Sequence, residues 1–140
     1  MANLNSCMKK IKIVIEKNED GFWAYAENEA GITGGGKTVH ACKQDILDCI
    51  ETLKLFNQQN RPTFLSHPYQ LVYRFDSESL LAYYKGIFTN AALARITGIH
   101  QKQLQHYASG FRKPRKIQMK KIQSALHQLG NELMTIELGE

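Results

Sequence analysis

Four groups of residues in this chain have types and spacings that could support chemistry. The first is Gly31-x-x-x-x-Gly36-Lys37-Thr38, which meets the spacing of a phosphate-binding loop. Such a loop cradles phosphates with backbone N–H groups, places its lysine on the outer phosphates and holds magnesium through the hydroxyl. The context here is wrong for it. Asn28, Glu29 and Ala30 precede the motif where a buried apolar strand is required, and no later apolar strand ends in an aspartate suited to magnesium. The stretch reads instead as a tight turn leading into a helix. The second group is the carboxylates Glu16, Glu19, Asp20, Glu27 and Glu29, whose expected role is an acidic solvent surface. The third is Cys7, Cys42 and Cys49, odd in number and widely spaced, without the close Cys or His partners a zinc site needs. They are expected to be small buried hydrophobes. No metal, cofactor or catalytic residue is expected.

The fourth group is a block of cations. The chain carries a net charge of +5. Residues 1–75 hold nine Lys/Arg against eight Asp/Glu, and residues 76–140 hold nine against five. All nine bases of the second half lie between Glu78 and Glu132, a span with no carboxylate. A solvated helical surface normally mixes both signs, so a one-sign surface points to a polyanionic partner. The start of the chain has no apolar run of signal-peptide length, and no run is long enough to cross a bilayer, so a cytoplasmic protein is expected.

Elements that could position these groups follow from periodicity. After a loose leader, Lys10-Ile11-Lys12-Ile13-Val14-Ile15-Glu16 alternates with the period of a strand. Asn18-Glu19-Asp20-Gly21 signals a turn, Phe22 to Ala26 a second strand, and Gly31 to Gly36 a short third one. Thr38 is positioned to cap a helix in which Val39, Cys42, Ile46, Cys49, Ile50 and Leu53 form one face, ending near Gln58. Asn60 to Pro68 breaks the chain, and Tyr69 to Phe75 is a fourth strand. From Ser77 the pattern turns helical, with Leu80, Leu81 and Tyr84 as a stripe and Gly86 loosening its end. Thr89 caps a helix over Asn90–Ile96, another spans about Gln101–Ala108, and Pro114 opens a last one at its first turn. Ile117, Ile122, Leu126 and Leu129 give that helix its apolar face. Met134-Thr135-Ile136-Glu137-Leu138 alternates like a short strand, able to pair with a second copy or to dock on the last helix.

Two short helices meeting at a large angle need a glycine-bearing turn, a small residue where they cross and a few apolar groups between them. Ala92-Leu93-Ala94, Gly98-Ile99, Leu104, Tyr107, Gly110 and Lys113-Pro114 meet these constraints together. Over residues 77–130 the chain resembles the phage-repressor-like helix-turn-helix family. That resemblance implies double-stranded DNA as partner. It implies Gln101, Lys102 and Gln103 at the start of the recognition helix, where Gln bonds adenine and Lys bonds guanine. His106, one turn on, would reach bases or phosphate. Thr89 and Asn90 would hold a phosphate at a helix N-terminus, and Ser109, Arg112, Lys113, Arg115 and Lys116 would sit on the backbone. His100 departs from the family, which favours a small capping residue there.

The segment from Ile15-Glu16-Lys17 through Asp20-Gly21, Phe22-Trp23-Ala24-Tyr25 and Gly31-Ile32-Thr33-Gly34-Gly35-Gly36-Lys37-Thr38 resembles the HicB antitoxin family over about residues 10–75. Departures are Ala30 in place of a proline, the glycine run, and Cys42 and Cys49 in place of alanines. The resemblance implies a degraded RNase H-like fold without catalysis. That agrees with the residues, since RNase H chemistry needs several carboxylates converging on two metals, whereas Glu16 and Glu27 sit near strand ends with no aspartate cluster. It further implies that Glu16, Glu19, Asp20 and Glu27, with Trp23 and Tyr25, dock a small basic HicA-like toxin ribonuclease. Trp23 and Tyr25 alternate with Phe22 and Ala24, so one pair faces the core and the other faces outward or into a partner.

The expected architecture is therefore α+β, with a β-β-β-α-β toxin-neutralising domain over residues 1–75 and an all-α helix-turn-helix domain over 76–140. The expected function is an antitoxin that blocks a toxin ribonuclease and represses its own operon as a homodimer or higher homo-oligomer. A solitary dimeric transcription regulator is the alternative, and a nuclease dependent on Glu16 is a third, weaker reading.

Overall fold

Alternating Ile11, Ile13 and Ile15, all buried, set the inward face of strand β1 (Lys9–Asn18) along its middle. The computed structural model describes residues 8–56 and 61–140. Cys7, Gln58 and Asn60, which bear on the expectations above, lie outside the described residues. The chain divides into two units, Met1–Asp76 and Ser77–Glu140. The fold is mixed α+β, with a four-stranded mixed sheet and five α-helices among the described residues.

In the first unit β1 is followed by β2 (Gly21–Ala26), β3 (Thr33–Gly36), α1 (Val39–Leu55), a one-turn 3-10 helix (Thr63–Ser66) and β4 (Tyr69–Phe75). The sheet order is β3-β2-β1-β4. β1–β2 and β2–β3 are antiparallel, while β4 runs parallel to β1. A parallel neighbour requires a crossover, and α1 lies within that connection. Thr38 Oγ1 caps α1 by accepting from the Ala41 N–H at 3.0 Å. α1 buries Val39, Cys42, Ile46 and Ile50, on the side of the sheet that carries Ile11, Ile13, Ile15, Ala24 and Ala26. Cys42 is fully buried, which lifts its thiol pKa. Cys49 is half-buried and donates to the Gly31 carbonyl at 3.3 Å. Lys43 of α1 holds its ammonium 4.4 Å from the Tyr73 ring centroid, a cation–π contact from the helix to β4.

The glycine run is explained by close packing. A Cβ on Gly36 would lie 2.8 Å from Ala41 Cβ and 2.9 Å from the Cys42 nitrogen, and one on Gly34 would lie 3.0 Å from the Ile46 nitrogen. The strand thus approaches the helix backbone with no room for side chains. The Gly35 N–H donates to Asp45 Oδ2 at 2.9 Å, adding a bond between the same two elements. Gly36→Val is expected to lift α1 off β3 and lower stability by about 1–3 kcal/mol. Urea unfolding followed by Trp23 fluorescence measures this, and an unchanged midpoint would contradict the close approach.

The second unit contains α2 (Ser77–Tyr84), α3 (Asn90–Thr97), α4 (Gln101–Ala108) and α5 (Lys116–Met134). Leu81, Leu93, Ile99, Leu104, Tyr107 and Ile122 form its core, with Leu80, Phe88, Ala94, Ala108 and Leu126 packed around them.

Four details differ from expectation. β3 begins at Thr33, because Gly31, with φ near +91°, belongs to the turn before it. Pro114 does not open α5. Arg115 is the N-cap, and the helix starts at Lys116. Ile117 is 72% exposed, so it lies outside the apolar face that the same helix turns inward at Ile122. The tail is not a strand. α5 continues to Met134, Thr135 bonds back to Glu132, and residues 136–140 are irregular and exposed.

Candidate functional site

The second unit builds its candidate site from α3, α4 and the turn between them. Thr89 caps α3 by accepting from the Ala92 N–H at 3.0 Å. Thr97 Oγ1 donates to the Leu93 carbonyl at 2.6 Å and accepts from the Ile99 N–H at 3.1 Å. Gly98 then takes φ near +74°, the left-handed conformation that ends a helix within one residue. His100 caps α4. Its Nδ1 accepts from the Lys102 N–H at 3.2 Å, so the imidazole does the work of the small residue expected there. Ile99 and Leu104, both buried, fix the angle between the two helices through the core.

These elements leave a shallow hollow of about 780 Å³ lined by Asn90, Ala94, His100, Gln101, Lys102 and Gln105. The exposed face of α4 carries Gln101, Lys102 and Gln105. Gln105 was missed by the sequence reading. It lies one turn beyond Gln101, a spacing that puts both on one helix face, and its Oε1 accepts from Asn90 Nδ2 at 2.8 Å. That bond ties the start of α3 to the middle of α4. Gln103 points elsewhere: it is half-buried and donates to the Tyr107 hydroxyl at 2.7 Å. His106 is half-buried, with its ring 5.0 Å from that of Phe111. Ser109 ends α4, donating to the His106 carbonyl at 3.2 Å. Arg112, Lys113, Arg115 and Lys116 follow on an exposed loop and the first turn of α5.

Charge is divided sharply between the units. Residues 1–76 hold nine Lys/Arg and nine Asp/Glu, whereas 77–140 hold nine against four, so the entire net charge resides in the second unit. All nine of its bases are exposed. The helix dipole at Thr89 and Asn90 adds partial positive charge beside the hollow.

In the first unit the sheet has one face turned to α1 and one uncovered by it. Pairing of Glu16 with Trp23 and of Val14 with Tyr25 puts these four on the second face. Phe22, Ala24 and Ala26 are thus the inward set, and Trp23, 44% exposed, belongs to the outward one. Tyr25 donates to Glu16 Oε1 at 3.4 Å, and the Glu16 charge holds the phenol above its ordinary pKa, so it stays a neutral donor. Not all the acids are brought together. Glu19 and Asp20 sit in the turn beyond β1. Glu27 lies 3.4 Å from both Lys12 and Arg74, and Glu29 lies 2.7 Å from Lys9. The acidic surface is therefore narrower than five carboxylates suggest, and Lys12 and Arg74 are part of the same face.

Among the described residues no group of three His, Cys, Asp or Glu side chains is placed to hold a metal ion. No helix among them is long and apolar enough to cross a membrane. Comparison of the chain with protein-family models, curated proteins and solved structures gave no match.

Proposed function

We propose that the chain is a HicB-type antitoxin and autorepressor of the cytoplasm. Its second unit, read as a helix-turn-helix domain, binds operator DNA. Its first unit, read as a degraded RNase H-like domain, covers a small basic HicA-like toxin ribonuclease. The observation that carries the DNA reading is the gathering of all net positive charge in the unit whose α4 exposes Gln101, Lys102 and Gln105 beside the capped start of α3. Amides and a lysine suit base edges, and the surrounding cations suit phosphates. The order β3-β2-β1-β4, with β4 parallel to β1, supports the RNase H-like reading. The non-catalytic reading is supported by Glu27, whose carboxylate is already occupied by two cations.

Toxin binding rests on Trp23 and Tyr25, amphipathic rings suited to anchor an interface, with Glu16, Glu19 and Asp20 supplying charge opposite to a basic partner. The test is co-expression with the product of the adjacent small open reading frame, followed by pull-down. Growth should be rescued by the intact chain and lost with Trp23→Ala plus Tyr25→Ala. A neighbour that is neither small and basic nor neutralised would sink the antitoxin reading. Neutralisation of Glu27 and Glu29 within the unit favours the second reading, a solitary dimeric regulator. Under that reading DNA binding persists and no toxin is captured.

A further inference from the structure

The hollow between α3 and α4 is lined by side chains whose hydrogen-bonding sense is fixed by bonds within the unit. An amide offers an acceptor and a donor group, and the one left to face outward depends on what engages the other. At Gln105 that is settled by Asn90, whose Nδ2 donates to Gln105 Oε1 at 2.8 Å. The carbonyl of Gln105 is thereby turned back to α3, and its Nε2 amino group remains for the exposed side. His100 is fixed in the same way. Its Nδ1 accepts from the Lys102 N–H at 3.2 Å, so Nδ1 carries no proton and the ring bears its hydrogen on Nε2. Lys102 has donors only. Gln105, His100 and Lys102, all exposed, therefore offer donors to one hollow, and among the described residues no carboxylate lines it.

Donors select acceptors. In the major groove guanine presents two acceptors, O6 and N7, side by side. Adenine presents N7 beside the N6 donor, and cytosine presents a donor. A glutamine free of other bonds reads adenine by using its carbonyl and its amino group together. Gln105 cannot do so while Asn90 holds its carbonyl. Resting on the DNA reading of this unit, the geometry points to Gln105 as a specificity-determining residue that reads guanine, with Asn90 as the positioning residue that sets the sense of its amide. Lys102, three residues earlier and so beside Gln105 on the helix surface, suits the same base or its neighbour.

Selection from a pool of randomised duplexes by the full chain tests this. The wild type should enrich a site with guanine favoured roughly tenfold at one base pair, and Gln105→Ala should level that position alone. Asn90→Asp offers only acceptors, so Gln105 turns its amide round to donate to it. Its carbonyl then faces outward, and preference at the same base pair should change from guanine to adenine. Gln105→Glu still accepts from Asn90 but has no donor, and should favour cytosine there. All three variants should keep the far-UV circular dichroism of the wild type. A Gln105-dependent position that is not guanine, or an Asn90→Asp chain that keeps guanine there, would overturn the assignment and leave the DNA reading standing. A wild type that enriches no sequence would sink both.

Discussion

Leu104→Ala is expected to cost the second unit about 2–5 kcal/mol of stability, and with it the DNA binding proposed for α4. Leu104 is fully buried, between α3 and the far side of the core formed by Leu81, Leu93, Ile99, Tyr107 and Ile122. Truncation would leave a void that the three eight-residue helices and α5 cannot close without moving α4 on α3. At about 0.05–0.15 kcal/mol per residue, a unit of this length has roughly 3–10 kcal/mol in total. The substitution therefore removes a large share of it. Leu104→Met keeps the volume and should cost under about 1.5 kcal/mol. Urea unfolding followed by ellipticity at the helix band measures both. A loss below about 1 kcal/mol for Leu104→Ala would mean that the core does not fix the angle between α3 and α4.

Much of this was legible because the sequence states it locally. Alternation at Ile11, Ile13 and Ile15 sets both a strand and its buried face. Thr38 and Thr89 announce helix starts through a side-chain oxygen that needs only its own N–H three residues on. Gly98 marks the turn because few other residues accept its φ. What was not legible depends on partners distant in sequence. The glycine run at 34–36 has the spacing of a phosphate loop, and only the closeness of α1 gives its real cause. The pairing of Glu27 with Lys12 and Arg74 needs the sheet order. Gln103 and Gln105 are chemically identical and two residues apart, yet one bonds Tyr107 and the other Asn90, because a helix turns by about 100° at each step. The tail failed for a different reason. Met134 to Leu138 alternates in sequence, but Leu133 and Met134 still belong to α5, and periodicity over five residues cannot separate a strand from the end of a helix.

The same division on α4 sets the second large effect, on the DNA affinity proposed for this unit. Gln101→Ala should weaken binding to the cognate site by about 1–3 kcal/mol and relax discrimination at one base pair, with little change on a scrambled duplex. Gln105→Ala should act similarly and also release Asn90, whose amide it holds. Gln103→Ala should do less, because its amide is engaged by Tyr107. Arg112, Lys113 and Arg115 are exposed on the loop before α5 and have no helical address, so their expected partner is the phosphate backbone. Replacing all three with alanine should weaken every sequence alike and flatten the dependence of log K on log salt by about 0.9 for each phosphate no longer neutralised. Fluorescence anisotropy on cognate and scrambled duplexes across a salt series separates the two behaviours. If the glutamine and the cation variants instead lost affinity equally and without regard to sequence, α4 would not lie in the major groove. The cationic surface would then be a general polyanion site, and the small apolar core would be holding up a scaffold for charge alone.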